Sequence, residues 1–170
     1  MGRPVGRKRR AKGTAARATR VRIRRARSAD VAALEALYRQ LNLSGYRDVI
    51  VPMREMRRAF ARLRGNRDHA ILLAERAGKV AGTAHVIIVP HLGHGLSPMA
   101  IVENVVVDAA ARSEGLGEHL MRAAAQLARR RGCYKLALTT NIARMRAHRF
   151  YERLGWKRTH FGYSFPLAER

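Results

Sequence analysis

Cysteine is all but missing from this 170-residue chain, Cys133 being the single one. That excludes an intramolecular disulfide and a thiolate-based zinc site, and it suits a reducing, cytoplasmic setting. Long apolar runs are missing as well. No stretch approaches the length of a membrane span and none has the hydrophobic centre of a secretory signal, so no membrane partner is expected. Acids are scarce, 12 Asp and Glu against 35 Lys and Arg, for a net charge of +23. Internal repeats are absent too.

The excess charge is unevenly spread. Residues 1–20 carry eight cations (Arg3, Arg7, Lys8, Arg9, Arg10, Lys12, Arg17 and Arg20) and no acid, so residues 21–170 keep +15 of the +23. Without a hydrophobic period, 1–20 is expected to be a disordered basic tail, followed by a single domain over 21–170 with enough chain to bury a core. The tail reads as a solvated extension or as a nucleic-acid arm, the former preferred. Only five of the cations are Lys, and Ala is abundant. Coding bias accounts for such a composition, so charge alone does not imply a nucleic-acid partner.

Periodicity gives the elements. Val21, Ile23 and Ala26 suggest a first strand, and Ser28 with Asp30 a cap for a helix over 29–41. A second helix at 53–64 sets Arg54, Arg57, Arg58, Arg62 and Arg64 around Met56, Phe60 and Leu63. HAILLAER (69–76) and KVAGTAHVIIV (79–89) read as a hairpin turning at Ala77-Gly78. The loop PHLGHGLSP leads to a strand at 99–107 and then a helix faced by Leu116, Leu120, Met121, Ala124, Leu127 and Ala128. A strand over 134–140, a helix over 143–153 and a last strand or hairpin over 156–166 complete the pattern. It implies a mixed, mostly antiparallel α/β sheet of six to seven strands flanked by about four helices.

The run MAIVENVVVDAAARSEGLG (99–117) stands out. A strand breaks into a loop bearing Arg112, Gly115 and Gly117, and a helix starts at once. Unpaired N–H groups and the helix dipole make such a junction a ready anion site. Arg112-x-x-Gly115-x-Gly117 after VENVVVD, followed by Asn141, Ala147 and FYERLGW (150–156), resembles the GNAT superfamily of acetyl-CoA-dependent N-acetyltransferases over 21–168. Asp108-Ala109-Ala110-Ala111 departs from it, since the family often has Pro and an aromatic there. Within the superfamily, TTNIARMRAHRFYERLGWKRTHFGYSFPL is similar to aminoalkylphosphonate N-acetyltransferases, as are His91, His94 and Glu103.

The resemblance implies the GNAT fold, acetyl-CoA as co-substrate and a small amine as acceptor, an aminoalkylphosphonate or other anionic amine being preferred. The alternative is a protein acetyltransferase, or a nucleic-acid-associated CoA-binding protein using the tail. A monomer or homodimer fits either. The pyrophosphate would sit on the backbone of Arg112, Ser113, Glu114, Gly115, Leu116 and Gly117, and the pantetheine arm along Val105, Val106 and Val107. Arg112 pairs with phosphate or only fixes the loop; Asn141 orients cofactor or caps the next helix. Tyr151 is the candidate acid, because its reference pKa near 10 approaches that of an alkyl thiol; otherwise it is a packing aromatic. Glu103, on a strand face with Ile101 and Val105, is the candidate base or a structural carboxylate. His91, His94 and His160 bind a divalent metal, meet a phosphonate, or are loop residues; no metal ligand is assigned. Cys133 reads as a small buried hydrophobe.

Overall fold

The computed structural model describes residues 20–41, 51–165 and 167. The basic tail and the Ser44-Gly45 loop therefore fall outside the described residues, apart from an exposed Arg20. Strands β1 (Arg22–Arg25), β2 (His69–Arg76), β3 (Lys79–Val89), β4 (Met99–Val107) and β5 (Lys135–Ala137) form one sheet in that order. β1 to β4 pair antiparallel and β5 runs parallel to β4. The helices are α1 (Val31–Tyr38), α2 (Met53–Gly65), α3 (Leu116–Arg130) and α4 (Met145–Arg153).

The period-2 pattern of the strands sorts their residues onto two faces. Ala70, Leu72 and Ala74 of β2, Ala84, Val86 and Ile88 of β3, and Ala100 and Val102 of β4 pack on the apolar stripe of α3. Small residues on the sheet let the helix lie close, and Leu120 and Leu116 fill the space with at most 1% of their surface exposed. The opposite face packs Leu73 against Ala26, Val31, Leu34 and Phe60, so it holds α1 and α2. Thr83 and His85 are the two buried polar residues of the described chain. Their ladder partners Leu73 and Ile71 put both on the α1/α2 face.

Local chemistry sets the ends. Ala77 (φ +48°) and Gly78 (φ +78°) make the hairpin turn expected between β2 and β3. α3 stops at Gly132 (φ +70°), with the Cys133 amide donating to Ala128 and the Gly132 amide to Arg129, the paired bonds of a Schellman cap. Two expectations need correction at the first helix. It spans 31–38 after a 3₁₀ turn at Ser28–Asp30, and Asp30 makes no side-chain bond into it. The carboxylate instead accepts from the Arg27 amide and from Arg24 at 2.6 and 2.7 Å, because a half-buried guanidinium outbids a helix end for it.

The strand count is five among the described residues, not six to seven. No strand forms over 156–165, and Phe161, Tyr163, Phe165 and Leu167 are 85–95% exposed. Alternation of aromatics is a strand-like pattern, but it is a preference, and no ladder pairs with it among the described residues. β5 is likewise shorter than the 134–140 expected, at three residues.

Candidate active site

β4 and β5 pair only from Met99↔Lys135 to Ile101↔Ala137. Beyond Ile101, β4 runs on through six more residues with no β5 partner. Two parallel strands that start together and then part leave a wedge walled by unpaired backbone. Val105, Val106 and Val107 lie on its β4 wall. On the other side, past the end of β5, the buried hydroxyl of Thr140 has no hydrogen-bond partner among the described residues.

A bulge marks the depth of this wedge. Thr83 pairs with Val106 and His85 with Glu103, so one residue of β3 lies opposite two of β4. Asn104 takes up the extra length with φ +51°. Bulges bend a strand and re-aim its side chains, and an αL residue is their usual hinge. Nothing in the run VENVVV announces it except an Asn among valines.

The loop after β4 is held from three sides. Asp108 accepts from the Ala110 amide and from Gln40 of the segment after α1, at 2.9 and 3.1 Å. Exposed Arg112 donates through Nε to the Val107 carbonyl at 3.4 Å, and Glu114 forms an ion pair with Arg76 at the end of β2. Ser113 (φ +67°) and Gly115 (φ +81°) then turn the chain into α3, whose first amides receive no side-chain cap from Gly115. The two glycines have different physical reasons. Gly115 is needed for its left-handed conformation, where a Cβ would be strained. At Gly117 a Cβ would meet Phe150 Cζ at 3.0 Å, so the buried glycine lets α4 pack on the first turn of α3.

That packing positions Tyr151. Phe150 and Tyr151 stand edge to face with centroids 5.1 Å apart, and Trp156 lies 5.9 Å from the Tyr151 ring. The Trp156 amide donates to the Tyr151 carbonyl across Gly155 (φ +84°), a second Schellman stop, which fixes the tryptophan beside the tyrosine. Burial raises the Tyr151 pKa; the Arg144 charge opposes that and the Glu103 charge adds to it. Tyr151, Glu103 and Arg144 therefore share one electrostatic neighbourhood. Glu103 is half-buried and its carboxyl pKa is raised by desolvation. Arg144 is a member of this group that the sequence pattern did not single out.

Asn141 is exposed. Its Oδ1 accepts from the Ala143 amide at 2.9 Å and its carbonyl from His148 Nε2 at 3.0 Å, so it organises the turn before α4. His94 stacks on Tyr134 at 4.2 Å with His91 edge-on at 5.8 Å, beside the start of β5 and away from the opening of the wedge. The Nε2 of His91 is buried without a partner among the described residues. His160 is exposed and contacts Thr159. Among the described residues no three His, Cys, Asp or Glu side chains converge as a metal site. Cys133 is half-buried against the α3 core, which raises its thiol pKa.

Comparison with known proteins places this geometry. The model of the acetyltransferase (GNAT) family matches residues 32–156. Glucosamine 6-phosphate N-acetyltransferase 1 of Oryza sativa subsp. japonica is 42% identical over 73 residues, 42% of this chain and 44% of that protein. Aminoalkylphosphonate N-acetyltransferase of Salmonella typhimurium is 36% identical over 95 residues, 56% of this chain and 61% of that one. The match thus spans about half the length of these curated relatives. The crystal structure of glucosamine-6-phosphate N-acetyltransferase from Arabidopsis thaliana superposes with a TM-score of 0.74 at 27% identity, covering 88% of this chain and 99% of that one.

Proposed function

Since the chain belongs to the acetyltransferase (GNAT) family, we propose that it transfers acetyl from acetyl-CoA to the primary amine of a small anionic molecule, within a single domain over 21–170. The observation that carries this is the wedge between β4 and β5, followed along the chain by a glycine-bearing helix start, with Glu103 on β4 coupled by charge to Tyr151. An elongated thioester cofactor suits that shape. Its pyrophosphate meets the amides of 113–117, and its pantetheine arm adds to the open edge of Val105–Val107 as an extra strand would. The unpartnered Thr140 hydroxyl offers a further polar contact on the far wall.

Glu103 acts as the base. An amine must lose its proton before it attacks the thioester carbonyl, and a half-buried carboxylate whose pKa is raised by desolvation is a stronger base than an exposed one. Tyr151 donates its phenolic proton to the departing thiolate. Arg144 opposes the rise in the Tyr151 pKa that burial causes, which favours proton release from the phenol. Arg112 holds the loop by its bond to Val107, and Asn141 sets the first turn toward α4.

The acceptor class follows from charge and from the relatives. Both named acceptors pair an amine with a phosphorus oxyanion. The +15 carried by 21–170 attracts such molecules and repels polyamines. Thiol release from acetyl-CoA tests this with 2-aminoethylphosphonate, glucosamine 6-phosphate, glucosamine and spermidine side by side. Turnover of a phosphorus-bearing amine well above glucosamine is expected. Preference for spermidine would overturn the acceptor class, and no thiol release with any amine would overturn the activity.

A further inference from the structure

The α1/α2 face holds a polar row that the cofactor does not explain. His69 of β2 and His85 of β3 are diagonal neighbours in the ladder, since His69 pairs with Ile87 and His85 with Ile71. Their rings meet through His69 Nδ1 and His85 Nε2 at 2.9 Å. One nitrogen must donate and the other accept, so the pair holds one proton between two bases. On the other side of β3, His85 lies directly opposite Glu103, on the same face of the sheet. The row therefore runs Glu103, His85, His69 across three strands.

Its outer end is open. His69 lines a cavity of about 30 Å³ together with Arg25, Phe60, Leu63 and Arg64. That is room for two or three waters at ~10–15 Å³ each. His85 itself is only 7% exposed. A buried imidazole facing only apolar neighbours gains nothing over Ile or Leu, whereas this one lies between a half-buried carboxylate and a cavity large enough for water. The groups that face it are Glu103 from β4, His69 from β2 and, through Thr83, Tyr38 of α1; Arg25 of β1 and Arg64 of α2 border the outlet.

We infer that His85 and His69 form a proton exit for Glu103, and thus serve as positioning and relay residues behind the base. Acetylation of an ammonium by a thioester yields an amide, a thiol and one proton. Glu103 takes that proton from the amine. His85 accepts it at Nδ1 and releases the one at Nε2 to His69 Nδ1, and His69 gives up its Nε2 proton to water in the cavity. Both rings are then neutral in the opposite tautomers, and each imidazole turns over about its Cβ–Cγ bond before the next proton. The exit leads away from the cofactor wedge, so it stays open while both substrates are bound. This rests on the reading of Glu103 as base.

The experiment uses the full chain with acetyl-CoA and whichever of 2-aminoethylphosphonate and glucosamine 6-phosphate is acetylated faster. His85→Gln and His69→Gln should each lower kcat up to about tenfold, with KM for acetyl-CoA unchanged. Added imidazole buffer at constant pH and ionic strength should restore much of that loss, since a small base can carry the proton instead. In a Glu103→Gln background neither substitution should cost more. A loss that imidazole does not relieve, equal at every pH, would overturn the relay and leave a packing role. An unaltered pH–rate profile in Glu103→Gln alone would overturn the base reading, and the relay with it. As a check without turnover, ¹⁵N NMR should show the His85 tautomer responding to Glu103→Gln; an unchanged spectrum would also count against the relay.

Discussion

The two faces of the sheet are built from the same strands to opposite specifications. Toward α3 every buried residue is apolar, from Ala70 to Ala128. Toward α1 and α2 the apolar cluster is smaller and shares its face with Thr83, His85 and Glu103. The dry face can tolerate no movement, because close packing of small sheet residues under a helix leaves nowhere to relax. It therefore fixes the start of α3, and with it the loop from Arg112 to Gly117. The polar face gives up packing in exchange for groups whose protonation can change. Position comes from one side and chemistry from the other.

The largest expected effect tests the dry face. Leu120 is fully buried under the sheet, so Leu120→Ala should destabilise by roughly 2–5 kcal/mol in denaturant titration. A cost below about 1 kcal/mol would mean that this side is not close-packed after all. Next comes Tyr151, where the two sides meet. Tyr151→Phe keeps the ring contacts with Phe150 and Trp156 and removes only the hydroxyl. It should lower kcat by about 10²-fold while KM for acetyl-CoA stays within about twofold. Parallel losses in both would assign the tyrosine to packing.

The smallest effect is the most diagnostic of the polar face. Folding raises the Glu103 pKa, so the ionised form is disfavoured in the native state. Its contribution to stability is whole below the ordinary value of 4.5 and is lost as pH rises through the raised one. Glu103→Gln should accordingly raise Tm near neutrality and leave it unchanged below that value. His85 has the opposite sign. Burial, then the charge of His69, lowers its pKa from 6.5 to about 4, so stability is present above 6.5 and falls as pH drops through that window. A gain in Tm for Glu103→Gln at every pH would mean that the carboxylate is not perturbed by the fold.

How far the chain could be read depended on the range of the signal. The hairpin 69–89 was legible because period-2 runs flank a turn that only certain residues adopt. The α3 stripe was legible from its helical period. The spacing of Gly115 and Gly117 pointed to the right junction, though Gly117 serves the contact with Phe150, 33 positions downstream. Strand 156–166 misled, since alternating Phe161, Tyr163 and Phe165 state a preference and not a partner. His85 was passed over as one polar residue in an apolar strand.

By itself the sequence determined the elements that local periodicity and turn chemistry dictate: five strands, four helices, and a glycine-bearing loop at a helix start. Only the tertiary structure decided where β5 parts from β4, that Asn104 takes the bulge, and that Tyr151, Arg144 and Glu103 share one field. Strand register is an agreement between segments distant in the chain, and a one-residue bulge changes it without altering either segment's pattern. The junction at Gly115 could be found from its residues. The depth of the wedge behind it could not, because no single stretch of chain contains it.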